Sequence, residues 1–229
     1  MQPTFMPWIG YFAMINEVDE FVFLNHVQFE KRSWQHRNKI KTINGESWIT
    51  IPVLSKGKQK QSIQHTEIAL DGLERSLLKI SKTIHQSYCK APFYKYYIEE
   101  LDSIMFRGYK YISDLNQELI RFFSNEIGIN TEIKISSDMI LHQNKAELLA
   151  EICTLLNADE YLSAPGSKVY IDNTDAFSKA RVKLKYFNYV HPEYRQLHKG
   201  FLPYMSILDL LFNAGKDSKS IIESGVSRK

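Results

Sequence analysis

The sequence predicts an α/β chain: a Rossmann-like, mostly parallel sheet, a helical middle region and a strand-rich C-terminal segment. Three observations carry that reading. Phe21-Val-Phe-Leu24 is a short continuous apolar run, as in a strand buried on both faces. Residues 73–127 hold three successive segments with apolar side chains at helical spacing. Val182-Lys-Leu-Lys-Tyr-Phe187 alternates apolar and polar, as a half-buried strand does. Strands, then helices, then strands divide the chain into an α/β half over 1–70, a helical region over 71–157, a part completing sheet and site over 158–215, and a polar tail over 216–229.

Pro3 and Pro7 keep the residues up to Met6 out of a helix. From Trp8 to Val18, the residues Trp8, Ile9, Phe12, Ile15 and Val18 recur at helical spacing. Phe21 to Leu24 is the first strand. Trp48 to Leu54 is the second, entered through the turn Asn44-Gly45. Ser55 to Ser62 is a polar, glycine-containing loop, and Ile63 to Leu70 a short strand after it. Helices follow over Leu73–Tyr88 with Asp71 as the cap, over Phe93–Phe106 with Pro92 in the first turn, and over Ile112–Ile127 with Gly128 as the stop. Thr131–Ser136 alternates as a strand, and Lys145–Leu156 is another amphipathic helix. Ser163-Ala-Pro-Gly-Ser167 reads as a turn-rich loop. Ser206 opens a helix reaching Phe212, with Asp209 at the capping-box position, Asn213 as a C-terminal cap and Gly215 as the stop.

The chain's 229 residues can bury a sizeable core. A net charge of only +3 excludes a nucleic-acid coat or a polybasic membrane binder. The positive charge is local instead, at 31–41, 56–60 and 179–199. Two cysteines, Cys89 and Cys153, exclude a disulfide framework and read as reduced thiols; no Cys/His spacing suggests zinc. No metal or cofactor is read from the sequence. No apolar run approaches the roughly twenty residues needed to cross a bilayer, and no secretory signal opens the chain. A cytoplasmic chain without membrane insertion is expected.

The most informative segment is Gln28 to Lys41. It carries Lys31, Arg32, Arg37, Lys39 and Lys41 against the single acid Glu30, with Trp34, Gln35, His36 and Asn38 threaded among them. Multidentate donors beside an aromatic platform suit a phosphate-bearing, ring-containing ligand. Because the segment follows the first strand, it is placed on a loop at a strand end, where open α/β sheets bind ligands. A basic surface loop with one packed tryptophan is the plainer alternative.

Thr4-Phe5-Met6-Pro7 resembles the first half of the entry loop of nucleotidylyltransferases. Tyr11 stands where that family has its second histidine, and the first is missing, so adenylyl transfer is discounted. A longer resemblance covers residues 1–215. Gln2-Pro-Thr-Phe-Met-Pro-Trp-Ile-Gly-Tyr-Phe12, Asp19-Glu-Phe-Val-Phe-Leu24, Val27-Gln-Phe29, Lys31–Asn38, Tyr161-Leu-Ser163, Gly166-Ser167, Tyr170, Tyr194, Gln196, Phe201-Leu-Pro203 and Ser206–Asn213 resemble the WbqC-like family of bacterial surface-polysaccharide (O-antigen) biosynthesis. Two departures stand out. Members usually open with a short strand before the glutamine-proline pair, so either the native start lies upstream or the sheet lacks an edge. Asn25-His26 replaces an expected acidic pair, which removes a carboxylate base or metal ligand there.

The resemblance implies aminoacyl transfer, most simply of glycine, to the amine of a nucleotide-linked amino sugar. The donor stays open between aminoacyl-tRNA, carrier-bound glycine, and free glycine with ATP. Lys31, Arg32, Arg37 and Lys39 would neutralise a diphosphate; Trp8, Tyr11 or Trp34 would stack on a base or sugar face. His26 and His36 are the candidate bases, with Gln28, Gln35 and Asn38 as donors to the developing oxyanion. Gln2, Gly166, Ser167, Tyr194 and His198 complete the expected site, and His191 or His198 would close it from the far side. His65, His85 and His142 read as surface or cap residues, and Phe93–Tyr97 as helix packing. A non-enzymatic sugar-nucleotide-binding module and a diverged nucleotidylyltransferase are the alternatives.

Overall fold

A computed structural model describes residues 1–227. Its first helix, α1 (Ile9–Asn16), is buried from Ile9 to Ile15. A helix apolar all round belongs inside a core, and α1 gives Ile9, Tyr11, Phe12, Met14 and Ile15 to the larger apolar cluster. Each large side chain it buries contributes about 1.5–3 kcal/mol. Gly10 is dictated by packing: a Cβ there would lie within 3.0 Å of the Trp8 indole, which folds back over the helix.

Strand β1 (Glu20–Phe23) follows. Next come β2 (Arg37–Thr42) and β3 (Gly45–Thr50), an antiparallel hairpin with Arg37 opposite Thr50 and Lys39 opposite Trp48. The Asn44-Gly45 turn is where the sequence places it, with Gly45 at φ +102. The strands around it differ from expectation. Arg37–Lys41 sit on β2 rather than in a loop, and β3 starts at Gly45 rather than Trp48. The alternate burial of Asn38 and Ile40 is the strand signal, hidden by the cations between them. Ile63–Leu70 is not a strand. It runs as an irregular segment joined to its neighbours by single bridges, Val53 to Ile68 and Glu67 to Tyr111.

The helical region matches the predicted periodicity closely: α2 (Leu73–Tyr88), α3 (Tyr94–Met105) and α4 (Ile112–Ile127), which stops at Gly128 with φ +84. Asp71 does not cap α2; Gly72 holds the N-cap position and no side chain bonds there. Then come β4 (Glu132–Ile135), α5 (Lys145–Leu155), β5 (Glu160–Ser163), the short α6 (Lys168–Ile171) and α7 (Ala176–Lys179), and β6 (Lys183–Tyr186). Helix α8 (Ile207–Ala214) is capped by Ser206 Oγ, which accepts from Leu208 N, and ends at Gly215. The polar tail is helical over 218–224. Its α9 (Ser218–Ser224) buries Ile222, and Lys219 Nζ donates to Gly128 O at 2.9 Å.

This is a mixed α/β architecture with small parallel sheets. β1 pairs with β4 in parallel, Phe21 opposite Ile133, and β5 with β6, Tyr161 opposite Leu184. Met1 extends the first pair: its N donates to Val22 O at 2.7 Å and its O accepts from Leu24 N at 2.8 Å. A smaller cluster of Ala146, Leu149, Cys153, Ile171, Phe177 and Val182 packs β5 and β6 against α5–α7. The C-terminal ends of β1 and β4 therefore lie side by side, carrying Asn25-His26 and Ser136-Ser137.

Candidate functional site

Asn25, His26 and Ser136 form one hydrogen-bonded unit at those strand ends. Ser136 Oγ is buried; it accepts from Asn25 N at 3.2 Å and donates to Asn25 Oδ1 at 3.2 Å. His26 Nδ1 lies 2.5 Å from the same oxygen. With the serine proton given to Asn25, this contact is filled by Nδ1–H, and Nε2 is left as the basic nitrogen. Asn25 is clamped in turn: Oδ1 accepts from Ser137 N at 3.1 Å and Nδ2 donates to Ser137 Oγ at 3.0 Å. Burial lowers the His26 pKa, so the ring is neutral at physiological pH.

The other candidate base is differently placed. His36 Nδ1 bonds Ile51 O at 3.1 Å, and its Nε2 is buried with no partner. The ring packs against Phe29, and burial is the largest cause holding its pKa below the ordinary imidazole value. A nitrogen enclosed in this way meets no substrate, so His36 is a packing residue. The side chain turns inward at the residue just before β2, where Ile51 N donates to His36 O at 2.8 Å.

Several expected ligand-binding residues hold the backbone of residues 2–6. Asn38 is buried, and its Nδ2 donates to Phe5 O at 3.0 Å and Met6 O at 2.7 Å, steadying Met6 at φ +45. Gln35 donates to Gln2 Oε1 at 2.8 Å, and Asn116 ties Gln35 O to Pro3 O. Tyr11 is buried against Phe12 and Phe21 and donates to Gln2 O at 2.9 Å, so it is no stacking platform. Of this group Gln2 is half-buried, its Oε1 taken by Gln35.

Arg37, Trp34 and Lys39 gather on the outer face of the hairpin, not in a cavity. Trp34 packs on Trp48 with ring centroids 5.3 Å apart, and the Arg37 guanidinium lies 4.4 Å from the Trp48 ring centre. Arg37 also donates to Arg32 O, while Lys39 bonds Glu46 at 2.8 Å. A cavity of about 270 Å³ lies between the β3 exit and α2, lined by Ile51, Leu77 and Met105. One of about 840 Å³ lies between β1, α5 and the β5–β6 pair. Neither is lined by Arg32, Trp34 or Arg37, which stand with the two indoles on the hairpin. Trp48 is the member that sequence reasoning missed; its pairing opposite Lys39 across an Asn-Gly turn is the signal that could have found it.

Lys31, Arg32 and Gln28 are exposed beside this face, Gln28 donating to Gln59 O at 2.9 Å. Gly166 and Ser167 lie in a 3-10 turn after β5, in the part of the chain packed on the smaller core, and share no hydrogen bond with the residues around His26. Trp8 is half-buried against Tyr189, His191 and Tyr204 at 5.6, 5.9 and 5.2 Å. Tyr194 and His198 serve a buried polar network instead of a ligand. Tyr194 donates to Asp209 at 2.9 Å, as Tyr88 does at 3.0 Å, and His198 Nε2 bonds Ser87 O at 2.9 Å. Asp209 therefore does not cap α8; it is fully buried and faces these hydroxyls. Lys41 Nζ donates to Gln196 Oε1, His198 O and Gly200 O in the same interior. Asn213 donates to Asp209 O, one turn back, and does not cap the helix end.

Burial holds His26, His36 and His191 below the ordinary imidazole value. As pH falls below about 6.5, the unfolded chain takes up protons that the folded one refuses. The stability tied to these neutral rings is complete above that pH and is lost as pH falls towards their folded values. Asp102, Asp114 and Asp209, raised by burial, oppose this as they protonate, from lower starting values. The melting temperature is expected to fall between pH 7 and 5.5. A flat profile in thermal melts would contradict buried neutral imidazoles.

Among the described residues, no helix is long and apolar enough to cross a membrane. No solved structure matches the chain. It is 36% identical over 220 residues to an uncharacterized protein, Rv1507c, of Mycobacterium tuberculosis (strain ATCC 25618 / H37Rv), covering 95% of this chain and 94% of the relative. The model of the WbqC-like protein family matches residues 2–221, which takes in α1, the hairpin, the His26 unit and α8, and the chain belongs to that family.

Proposed function

We propose that this protein transfers a small aminoacyl group, glycyl in the simplest case, to the amine of a nucleotide-linked amino sugar in O-antigen biosynthesis. The observation that carries this reading is the His26–Ser136–Asn25 unit, a neutral imidazole oriented through Nδ1 at the open ends of two parallel strands. Acyl transfer to an amine asks for such a base. The amine nitrogen attacks the acyl carbonyl, a C–N bond forms and the bond to the donor's leaving oxygen or sulfur breaks. His26 Nε2 takes the ammonium proton and returns it to the leaving group. Gln2, next to Met1 along β1, is the amide we assign to hold the sugar or the developing oxyanion.

The test is a thermal-shift screen against uridine and deoxythymidine diphospho-amino sugars, followed by mass spectrometry with an activated glycyl donor. A ligand that binds only the folded state at 100 times its Kd stabilises it by about 2.7 kcal/mol. A bound sugar nucleotide that gains one glycyl mass supports the reading. One that binds and stays unmodified with every donor class makes the protein a binding module, and absence of any shift removes the substrate class.

A further inference from the structure

Two basic stretches separated in sequence, 31–41 and 56–60, meet on one surface. Gln28 bridges to Ser62, Phe29 N donates to Gln61 O at 2.9 Å, and Gln28 Nε2 reaches Gln59 O at 2.9 Å. The polar loop 55–62 is thereby sewn along the loop that carries Lys31, Arg32 and Trp34. Lys31, Arg32, Arg37, Lys56 and Lys60 make no ion pair among the described residues, whereas Lys39 is held by Glu46 and Lys58 by Glu67. Beside these cations stand two tryptophans, Trp34 at 46% and Trp48 at 43% exposure. Packed on each other and half-exposed, they form an apolar patch rimmed by cations, the kind of surface that marks an interaction site. The Arg37 guanidinium at 4.4 Å from the Trp48 ring centre extends the same flat, cationic platform.

From this we infer that the face binds the single-stranded end of an RNA. Stacked aromatics tracked by unpaired cations are the means by which proteins hold unstacked bases and their phosphates. A neutral glycan would have no use for five cations without an acidic partner. A long duplex is equally unsuited to a chain with a net charge of +3. The same loop junction leads to His26. Ile63 N donates to Val27 O at 2.9 Å and Gln64 N to Asn25 O at 2.8 Å, so the segment that follows the basic loop bonds the residues on both sides of His26.

This assignment rests on the acyl-transfer reading and names its donor: an aminoacyl ester at an RNA 3′ end. The sugar amine attacks the ester carbonyl, the C–N bond forms and the C–O bond to the ribose breaks. The proton leaves the amine through His26 and ends on the ribose oxygen. The RNA is released uncharged, and no oxidant, reductant or nucleotide is consumed.

The probe is a fluorescently labelled single-stranded RNA ending in 3′-CCA, read by anisotropy on the full chain. Trp34→Ala and Trp48→Ala are each expected to weaken binding about tenfold, in the range of one lost base–aromatic stack. Raising salt from 50 to 200 mM is expected to weaken it about tenfold or more, as three neutralised phosphates require. Lys31→Glu with Arg32→Glu, on an exposed loop, is expected to abolish binding at an unchanged melting temperature. Binding that ignores both tryptophans or the salt, or tighter binding of an anionic polysaccharide than of the RNA, overturns the proposal. His26→Gln keeps RNA binding while losing transfer. If RNA fails to bind but glycyl transfer from another donor survives, the donor assignment falls and the base assignment stands.

Discussion

Replacing His26 with glutamine is expected to lower acyl transfer by about 10²–10⁴-fold, the range a positioned general base supplies. Gln can still meet Ser136 Oγ with its amide, so the strand ends stay in place and sugar-nucleotide binding persists. What disappears is the lone pair on Nε2. The pH profile separates this role from a structural one. Because burial lowers the His26 pKa, the rate is expected to be flat above about pH 6.5, the ordinary imidazole value, and to fall as the ring protonates in acid. Ser136→Ala removes the contact that fixes the tautomer; transfer then drops by less than in the glutamine variant, and the acid limb moves, because Nδ1 loses its partner. Full transfer by His26→Gln at all pH values would remove this residue from the chemistry and leave the Asn25–Ser136 clamp as a strand-end brace.

The helices were legible because their signal is local. Leu77, Ile80 and Ile84 recur within one segment, and α2 is found where those residues place it. The parallel strand β1 was legible for the same reason: a continuous apolar run can be buried only between layers. The hairpin was only half legible. Its turn was read from Asn44-Gly45, but the burial of Asn38 and Ile40 was masked by alternating cations, so β2 passed for a loop. The candidate site failed at longer range. His26 could be nominated as an imidazole after a strand, but its partner Ser136 lies 110 residues away. Nothing near either residue in the sequence points to the other. His36 failed for the opposite reason: a basic, polar neighbourhood looked solvated, whereas the ring packs on Phe29 and bonds Ile51 O from the turn before β2. The same lack of long-range information made Lys41 look like one more surface cation, and made Asp209 look like a helix cap.

Lys41→Met is expected to be the most damaging single substitution outside the apolar core, costing about 3–5 kcal/mol. The lysine is 1% exposed on β2. Its ammonium spends all three donors on oxygens of one loop: Gln196 Oε1 at 2.8 Å, His198 O at 2.7 Å and Gly200 O. Burial lowers its pKa while the charge of Asp209 raises it. Asp209 sits in the same interior, held by Tyr88 and Tyr194 hydroxyls, and Tyr88 in turn accepts from Lys41 N at 2.9 Å. Methionine fills the stem's volume but leaves the His198 and Gly200 carbonyls without their donor and a buried carboxylate without its countercharge. At about 2–4 °C per kcal/mol for a chain of this size, the melting temperature falls by roughly 10 °C. Hydrogen exchange localises the loss to 196–204, the loop beside the Trp8 cluster, before the helices respond. Adding Asp209→Leu to Lys41→Met removes the stranded charge, so the pair is expected to be less destabilised than the sum of its single variants. If Lys41→Met loses under 1 kcal/mol, or the two substitutions simply add, the buried ammonium does not fix the loop.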